Sequence, residues 1–213
     1  MGLMNSGGLA NAVISFLTYL PGLLIAISFH ELAHGYAAYL QGDDTAKNMG
    51  RLTIDPLAHI DPIGFLMLIF IGFGWAKPVP VDYRKLKNGR KSIFLVSIAG
   101  VLTNFIIAFV GTFLLYIAHE MAWHPVIVDM FRYLVLFNIV LGVFNLIPIP
   151  PLDGSKILGS ILPPKLEFKY MQIERYGYII LLVLLITGIV PRILGRFVFL
   201  ISNIFLNIVT SIL

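Results

Sequence analysis

The chain has 213 residues, of which 58% are hydrophobic and 12% charged, with a formal net charge of +4. Soluble domains carry about 25% charged residues, so half that share, with a mean hydropathy of +0.90, excludes an ordinary water-soluble fold and makes lipid the main solvent. The lack of cysteine excludes disulfides and thiolate metal sites, and the basic surplus of such a chain reports topology rather than nucleic-acid binding.

The first apolar run, 9–40, exceeds the ~20 residues that a helix needs to cross hydrocarbon. Nothing basic precedes it and no small-residue cleavage site follows, so a cleaved signal peptide is not expected. After it come "QGDDTAKNMGR", "LTIDPLAHIDP" and then only about a dozen apolar residues before Lys77, a length that suits a re-entrant or interfacial segment. Here "RLTID" alternates like a short strand, and Pro78 and Pro80 hold "AKPVPV" extended. His59 and Asp61 are expected to form a hydrogen-bonded pair at the turn before Pro62, since two residues are too few for a stable metal site.

The densest basic stretch, "DYRKLKNGRK" at 82–91, is placed in the cytoplasm by the positive-inside tendency. The run 92–118 then exits, and "HEMAWHP" at 119–125, without Lys or Arg, is the outer turn. The run 126–149 returns and ends where the prolines of "IPIPPLDG" forbid further helix. Lys156, Lys165 and Lys169 after it are again cytoplasmic in character. Runs 176–190 and 193–213 complete the chain, with Arg192 and Arg196 in an outer turn as a mild exception to the rule, so that 193–213 either spans or lies in the interface. The expectation is an all-α polytopic membrane protein of about 4–6 membrane segments, with a short extended or re-entrant region between the first and second spanning helices. No polar linker or repeat divides it, so residues 1–213 read as a single domain with its core at 9–160 and C-terminal helices at 170–213.

The first run carries "SFHELAHGYAA" at 28–38. Each ionisable group at the centre of a membrane helix costs roughly 2.5–3.5 kcal/mol, so His30, Glu31 and His34 within one turn need a strong compensation. Histidines four residues apart share a helix face, and both can reach one metal ion. In H-E-x-x-H the glutamate beside the first ligand can take a proton from an activated water. Chance produces about 0.002 such matches in a chain of this composition. Catalytic zinc keeps three protein ligands and one open position. The third is sought among Asp43, Asp44, His59, Asp61, Glu120, Asp129 and Asp153. Glu120 and Asp129 fall on the outer side, and Asp43 and Asp44 point more naturally into the interface. Asp153 lies at the depth of the histidines on chain released by prolines, and its alternative use is as N-cap of "GSKILGSIL".

These residues resemble the site-2 proteases, intramembrane zinc metalloproteases, in their compact form without a PDZ domain. The resemblance rests on "HELAH" (30–34) and "NLIPIPPLDG" (145–154), supported by "GRLTIDPLAHIDPIG" (50–64), "GWAKPVPV" (74–81) and "AGVLTN" (99–104). Val101 stands where the family usually has proline. The resemblance implies one Zn2+ per chain on His30, His34 and Asp153, Glu31 as general base, and Asn104 and Asn145 at polar positions near substrate, candidate donors to an oxyanion. It also implies a transmembrane protein or peptide as substrate, no nucleic-acid partner, and a multi-pass place in a prokaryotic inner membrane with the active site toward the cytoplasm. One of the extended segments, "RLTID" or "AKPVPV", is expected to pair with the unwound substrate as an added strand. A competing class is a membrane metal-binding or metal-transport protein, but transporters scatter polar residues over several helices and show repeats.

Overall fold

The computed structural model describes residues 6–71 and 74–212. Ten α-helices follow in order: α1 (Ser6–Leu40), α2 (Thr45–Asn48), α3 (Pro56–His59), α4 (Pro62–Ile71), α5 (Arg90–Glu120), α6 (Pro125–Asn145), α7 (Asp153–Ile161), α8 (Pro164–Met171), α9 (Glu174–Ile186) and α10 (Ile189–Ile212). Four of them, from Asn11, Arg90, Pro125 and Ile189 onward, are long and apolar enough to cross a membrane. The protein is an all-α polytopic membrane protein. Apolar side chains such as Ile106, Val110, Leu182 and Phe199 face outward, as expected where lipid rather than water wets the surface.

The two C-terminal runs behave differently from each other. Helix α9, with 13 residues, is about 20 Å long and falls short of the ~30 Å hydrocarbon layer. Helix α10, with 24 residues, has the length to cross. Gly188, with φ of +75°, makes the turn between them in a conformation that only glycine adopts cheaply.

Helices α1, α5 and α6 pack against one another, and α10 joins α5 and α6. The core between the last three is Ala108, Val135, Ile139 and Val143, with Phe105, Leu194, Val198, Ile201 and Phe205 packed around it. Starts are set locally. Pro125 occupies the first turn of α6, where the missing N–H costs nothing, and His124 accepts the Val126 N–H.

Between α1 and α5 the structure corrects two expectations. "RLTID" forms no strand: Asp55 instead accepts the Leu57 N–H and caps α3, and the one β-type pairing among the described residues is an isolated bridge from Ile60 to Ala76. His59 and Asp61 do not pair either. The His59 ring lies 2.8 Å from the Thr53 carbonyl, while Asp61 accepts the Gly64 N–H at the start of α4. Each finds a nearer backbone partner, which costs less ordering than a side-chain pair. Of the apolar residues before Lys77, Gly72 and Phe73 lie outside the described set.

Polar bonds tie this region to the loop that follows α1 and to the loop that precedes α5. Asp43, fully buried rather than turned to the interface, accepts from Thr45 N–H at 3.0 Å, Thr45 Oγ1 at 2.5 Å and Asp82 N–H at 2.7 Å. A carboxylate can be buried when its oxygens are satisfied in this way. Arg51 donates to the Lys77 and Pro78 carbonyls, Lys77 N–H to the His59 carbonyl, and Lys87 N–H to the Gln41 carbonyl. In the exposed loop, the hydrogen bond from Lys85 holds the Asp44 carboxyl below its ordinary range. The extended stretch from Ala76 to Asp82 is thereby held across the end of α1 that bears the histidines.

Candidate metal centre

His30, Glu31 and His34 sit in the last three turns of α1, about 9–15 Å before its end. His30, His34 and Asp153 are 5%, 8% and 7% exposed. Asp153 is the first residue of α7, whose cap is Leu152 with no side-chain bond, so its carboxylate is not used as a cap. It turns to the histidines instead: Asp153 Oδ2 lies 3.2 Å from His30 Nε2 and 2.9 Å from His34 Nε2, with the two Nε2 atoms 3.0 Å apart. The bend that delivers it depends on Gly154, where a Cβ would stand 2.3 Å from the Leu146 carbonyl oxygen.

The hydrogen bonds behind the ligand atoms decide what they are. His30 Nδ1 lies 2.6 Å from Asn104 Oδ1, and His34 Nδ1 lies 2.8 Å from the Val96 carbonyl. The Asn104 amide is oriented by its own donors, which go to the Ala26 carbonyl and Asn138 Oδ1, and Asn138 is oriented by its bond to the Leu134 carbonyl. Both Nδ1 atoms therefore face acceptors and carry the proton, leaving both Nε2 lone pairs directed at each other and at a carboxylate. In the neutral rings three acceptors therefore converge, and Asp153 Oδ2 is buried without a hydrogen-bond partner. A cation resolves this, and the spacing suits zinc. Bonds of about 2.0–2.2 Å put tetrahedral ligand atoms roughly 3.3–3.6 Å apart, a few tenths of an ångström wider than the three separations found. Among the described residues this is the one group of three such side chains that could hold a metal.

Gly100 on α5 makes the close approach possible. A Cβ there would lie 2.6 Å from His34 Nε2 and 2.8 Å from His30 Nδ1. Gly100→Ala is expected to push both imidazoles off the metal and to leave most chains without zinc, at unchanged helix content. Metal analysis and circular dichroism check this; full zinc occupancy would show that the rings can give way.

Glu31 is half-buried beside the ligands, and its Oε2 accepts the Val79 N–H at 2.7 Å. A cavity of about 150 Å³ is lined by Glu31, the three ligand residues, Pro78, Val79, Tyr83, Ser97, Asn145 and Lys156, among others. Of the two asparagines expected near substrate, Asn145 borders this cavity and spends one donor on the Leu141 carbonyl. Asn104 is fully buried with both amide hydrogens engaged, so no donor is left for an oxyanion; it is placed behind His30. Sequence reasoning missed Asn138, Gly100, the Val79 N–H and Lys156 as parts of the site. Of these, Gly100 and Val79 had a signal, their places in "AGVLTN" and "GWAKPVPV".

Three converging side chains that could hold a metal, with a carboxylate beside them in a bundle of apolar helices, are the arrangement a multi-pass membrane metalloprotease requires. Comparison with known proteins agrees. The model of the peptidase family M50 matches residues 114–187, the part that holds Asp153. A Bacillus subtilis protein named "Putative zinc metalloprotease YwhC" is 45% identical over 82% of this chain and 83% of its own length. The Mycolicibacterium smegmatis "Putative zinc metalloprotease Rip2" is 30% identical over 83% of this chain and 70% of its own. The "Zinc metalloprotease MJ0392" of Methanocaldococcus jannaschii is 30% identical over 74% of this chain and 35% of its own. No solved structure matches the chain. The chain belongs to peptidase family M50, the site-2 protease family, and is a zinc metalloprotease.

Proposed function

We propose that this protein is an intramembrane zinc endopeptidase that cuts transmembrane segments in the cytoplasmic half of a prokaryotic cell membrane, as one domain over residues 1–213, in regulated intramembrane proteolysis. The observation that carries the reading is the meeting of the His30 and His34 Nε2 atoms and the Asp153 carboxylate in a membrane bundle with Glu31 alongside. His30, His34 and Asp153 hold the metal, and Asn104 positions His30. A zinc ion held there would supply Lewis acidity toward a water and a peptide carbonyl. Glu31 accepts the water's proton and passes it to the leaving nitrogen; its bond from Val79 leaves Oε1 for that task. Orientation follows from the basic loop. Arg84, Lys85, Lys87, Arg90 and Lys91 lie at the end of the bundle where α1 stops and α5 starts, which the positive-inside tendency assigns to the cytoplasm. The lipid bilayer is the solvent and no nucleic acid is involved. The polar groups gather at one depth rather than along a path, which disfavours a transporter.

A transmembrane substrate hides its peptide bonds in its own helix and must unwind before attack, and unwound backbone in lipid needs partners. The stretch from Ala76 to Val81 borders the cavity, extended by Pro78 and Pro80, and beyond its single bridge pairs with no strand among the described residues. We assign this segment to take substrate as an added strand, through the backbone groups left after Arg51, His59 and Glu31 have taken theirs. The test uses the purified chain in liposomes with a fluorescent apolar helical peptide bearing a central Asn-Gly-Pro break. Cleavage is expected on the side of the basic loop, abolished by a chelator and restored by zinc. Cleavage only in the exposed flanks of the peptide, or unaffected by chelation, overturns the reading.

A further inference from the structure

Of the donors first expected for the substrate carbonyl, Asn104 has both amide hydrogens bonded, and Asn145 has one bonded to the Leu141 carbonyl and one left for the cavity. Yet the charge that develops on a scissile carbonyl oxygen is where a preorganised donor contributes most to rate. The cavity contains one cation. Lys156 sits on α7 three residues after Asp153, so both side chains leave the same helix face, and it lines the cavity shared by Glu31 and the metal ligands. Its ammonium lies over the Tyr83 ring, 5.7 Å from the centroid. Among the described residues no carboxylate lies within ion-pair distance of it; its polar partner is the Tyr83 side chain, and the anions that face it are Asp153 and Glu31, whereas Lys47, Lys85 and Arg90 are each bonded to oxygen. The ammonium is thus half-buried, steadied by the Tyr83 ring and by the field of Asp153 and Glu31, yet bonded directly to neither carboxylate, so its donors are free to meet an oxygen that enters the cavity.

We propose that Lys156 is a catalytic residue that donates from its ammonium to the scissile carbonyl oxygen. This rests on the peptidase reading and adds to it the group that meets the developing negative charge. As the water oxygen bonds to the carbonyl carbon, the carbonyl π pair moves onto its oxygen and one water proton goes to Glu31. Lys156 stays protonated and hydrogen-bonds that oxygen. The C–N bond then breaks, the carbonyl re-forms, and the nitrogen takes the proton from Glu31. A four-carbon stem with three rotatable donors can leave the Tyr83 face and follow the oxygen.

The test compares wild type, Lys156→Met and Lys156→Arg as zinc-loaded full chains on the same liposome peptide. Lys156→Met is expected to lower kcat by about 10²–10³-fold with KM within about threefold and zinc per chain unchanged, and Lys156→Arg to recover at least about tenfold. A phosphinic peptide, whose tetrahedral anion mimics the transition state, should lose affinity for Lys156→Met by a similar factor. Uncleaved peptide, measured in a Glu31→Gln background, should bind Lys156→Met as it binds the parent. Three results overturn the proposal while leaving the peptidase reading intact: kcat within threefold of wild type, a change confined to KM, or loss of zinc. A wild-type chain that loads zinc and cuts nothing overturns both.

Discussion

Glu31→Gln is expected to lower peptide hydrolysis by about 10²–10⁴-fold, the usual worth of a general base, with zinc still bound at the wild-type level. The amide has the shape of the carboxylate and can accept the Val79 N–H through its own oxygen, so the local fold has no reason to change. What it lacks is basicity, and water then loses its proton acceptor at the moment of attack. Glu31 lies off the ligand set of His30, His34 and Asp153, which is why metal content should not follow activity. Cleavage of the liposome peptide and zinc by mass spectrometry, on the same preparation, read the two quantities separately. Zinc loss in parallel with activity would make Glu31 a ligand, and retained activity would move the base elsewhere.

Asp153→Ala is expected to remove most of the zinc, from about one per chain in wild type. Two histidines on adjacent turns of α1 form half of a tetrahedral site, and the carboxylate arrives from a helix more than a hundred positions later. Without it the imidazoles keep their orientation, because Asn104 and the Val96 carbonyl hold their Nδ1 atoms, but the third bond and its negative charge are gone. Removing a partner behind a ligand usually costs 10–100-fold in affinity, and removing the ligand itself costs more. Zinc held equally well by Asp153→Ala would retain the metal site and assign its third ligand to another residue.

Much of this protein was legible in the sequence because the relevant forces act locally. The lengths of α1, α5, α6 and α10 follow from uninterrupted apolar runs, since a membrane helix must satisfy its backbone within itself. That His30 and His34 share a face follows from helical geometry alone, and the prolines before Asp153 mark where helix must stop. Periodicity failed at "RLTID", where an Asp cap next to Pro56 makes a short helix better than an unpaired strand. It also could not tell α9 from a span, because helix length there is set by the turn at Gly188.

Tertiary structure alone decided how the site is wired. Asn104 is a residue type that could serve substrate or ligand, and it serves His30 because packing of α1, α5 and α6 puts Asn138 and the Ala26 carbonyl around its amide, contacts across 74, 34 and 78 positions. The Val79 N–H reaches Glu31 across 48 positions, and Gly100 matters only because two imidazoles lie where its side chain would be. Lys156 reads in sequence as one more cytoplasmic charge; the turn of α7 that brings Asp153 to the histidines also brings this ammonium into their cavity. Local pattern determines which helices form and which chemistry they carry. Long-range packing determines which hydrogen-bond partner each polar group finds, since a buried donor or acceptor takes the partner that the neighbouring helices place within reach.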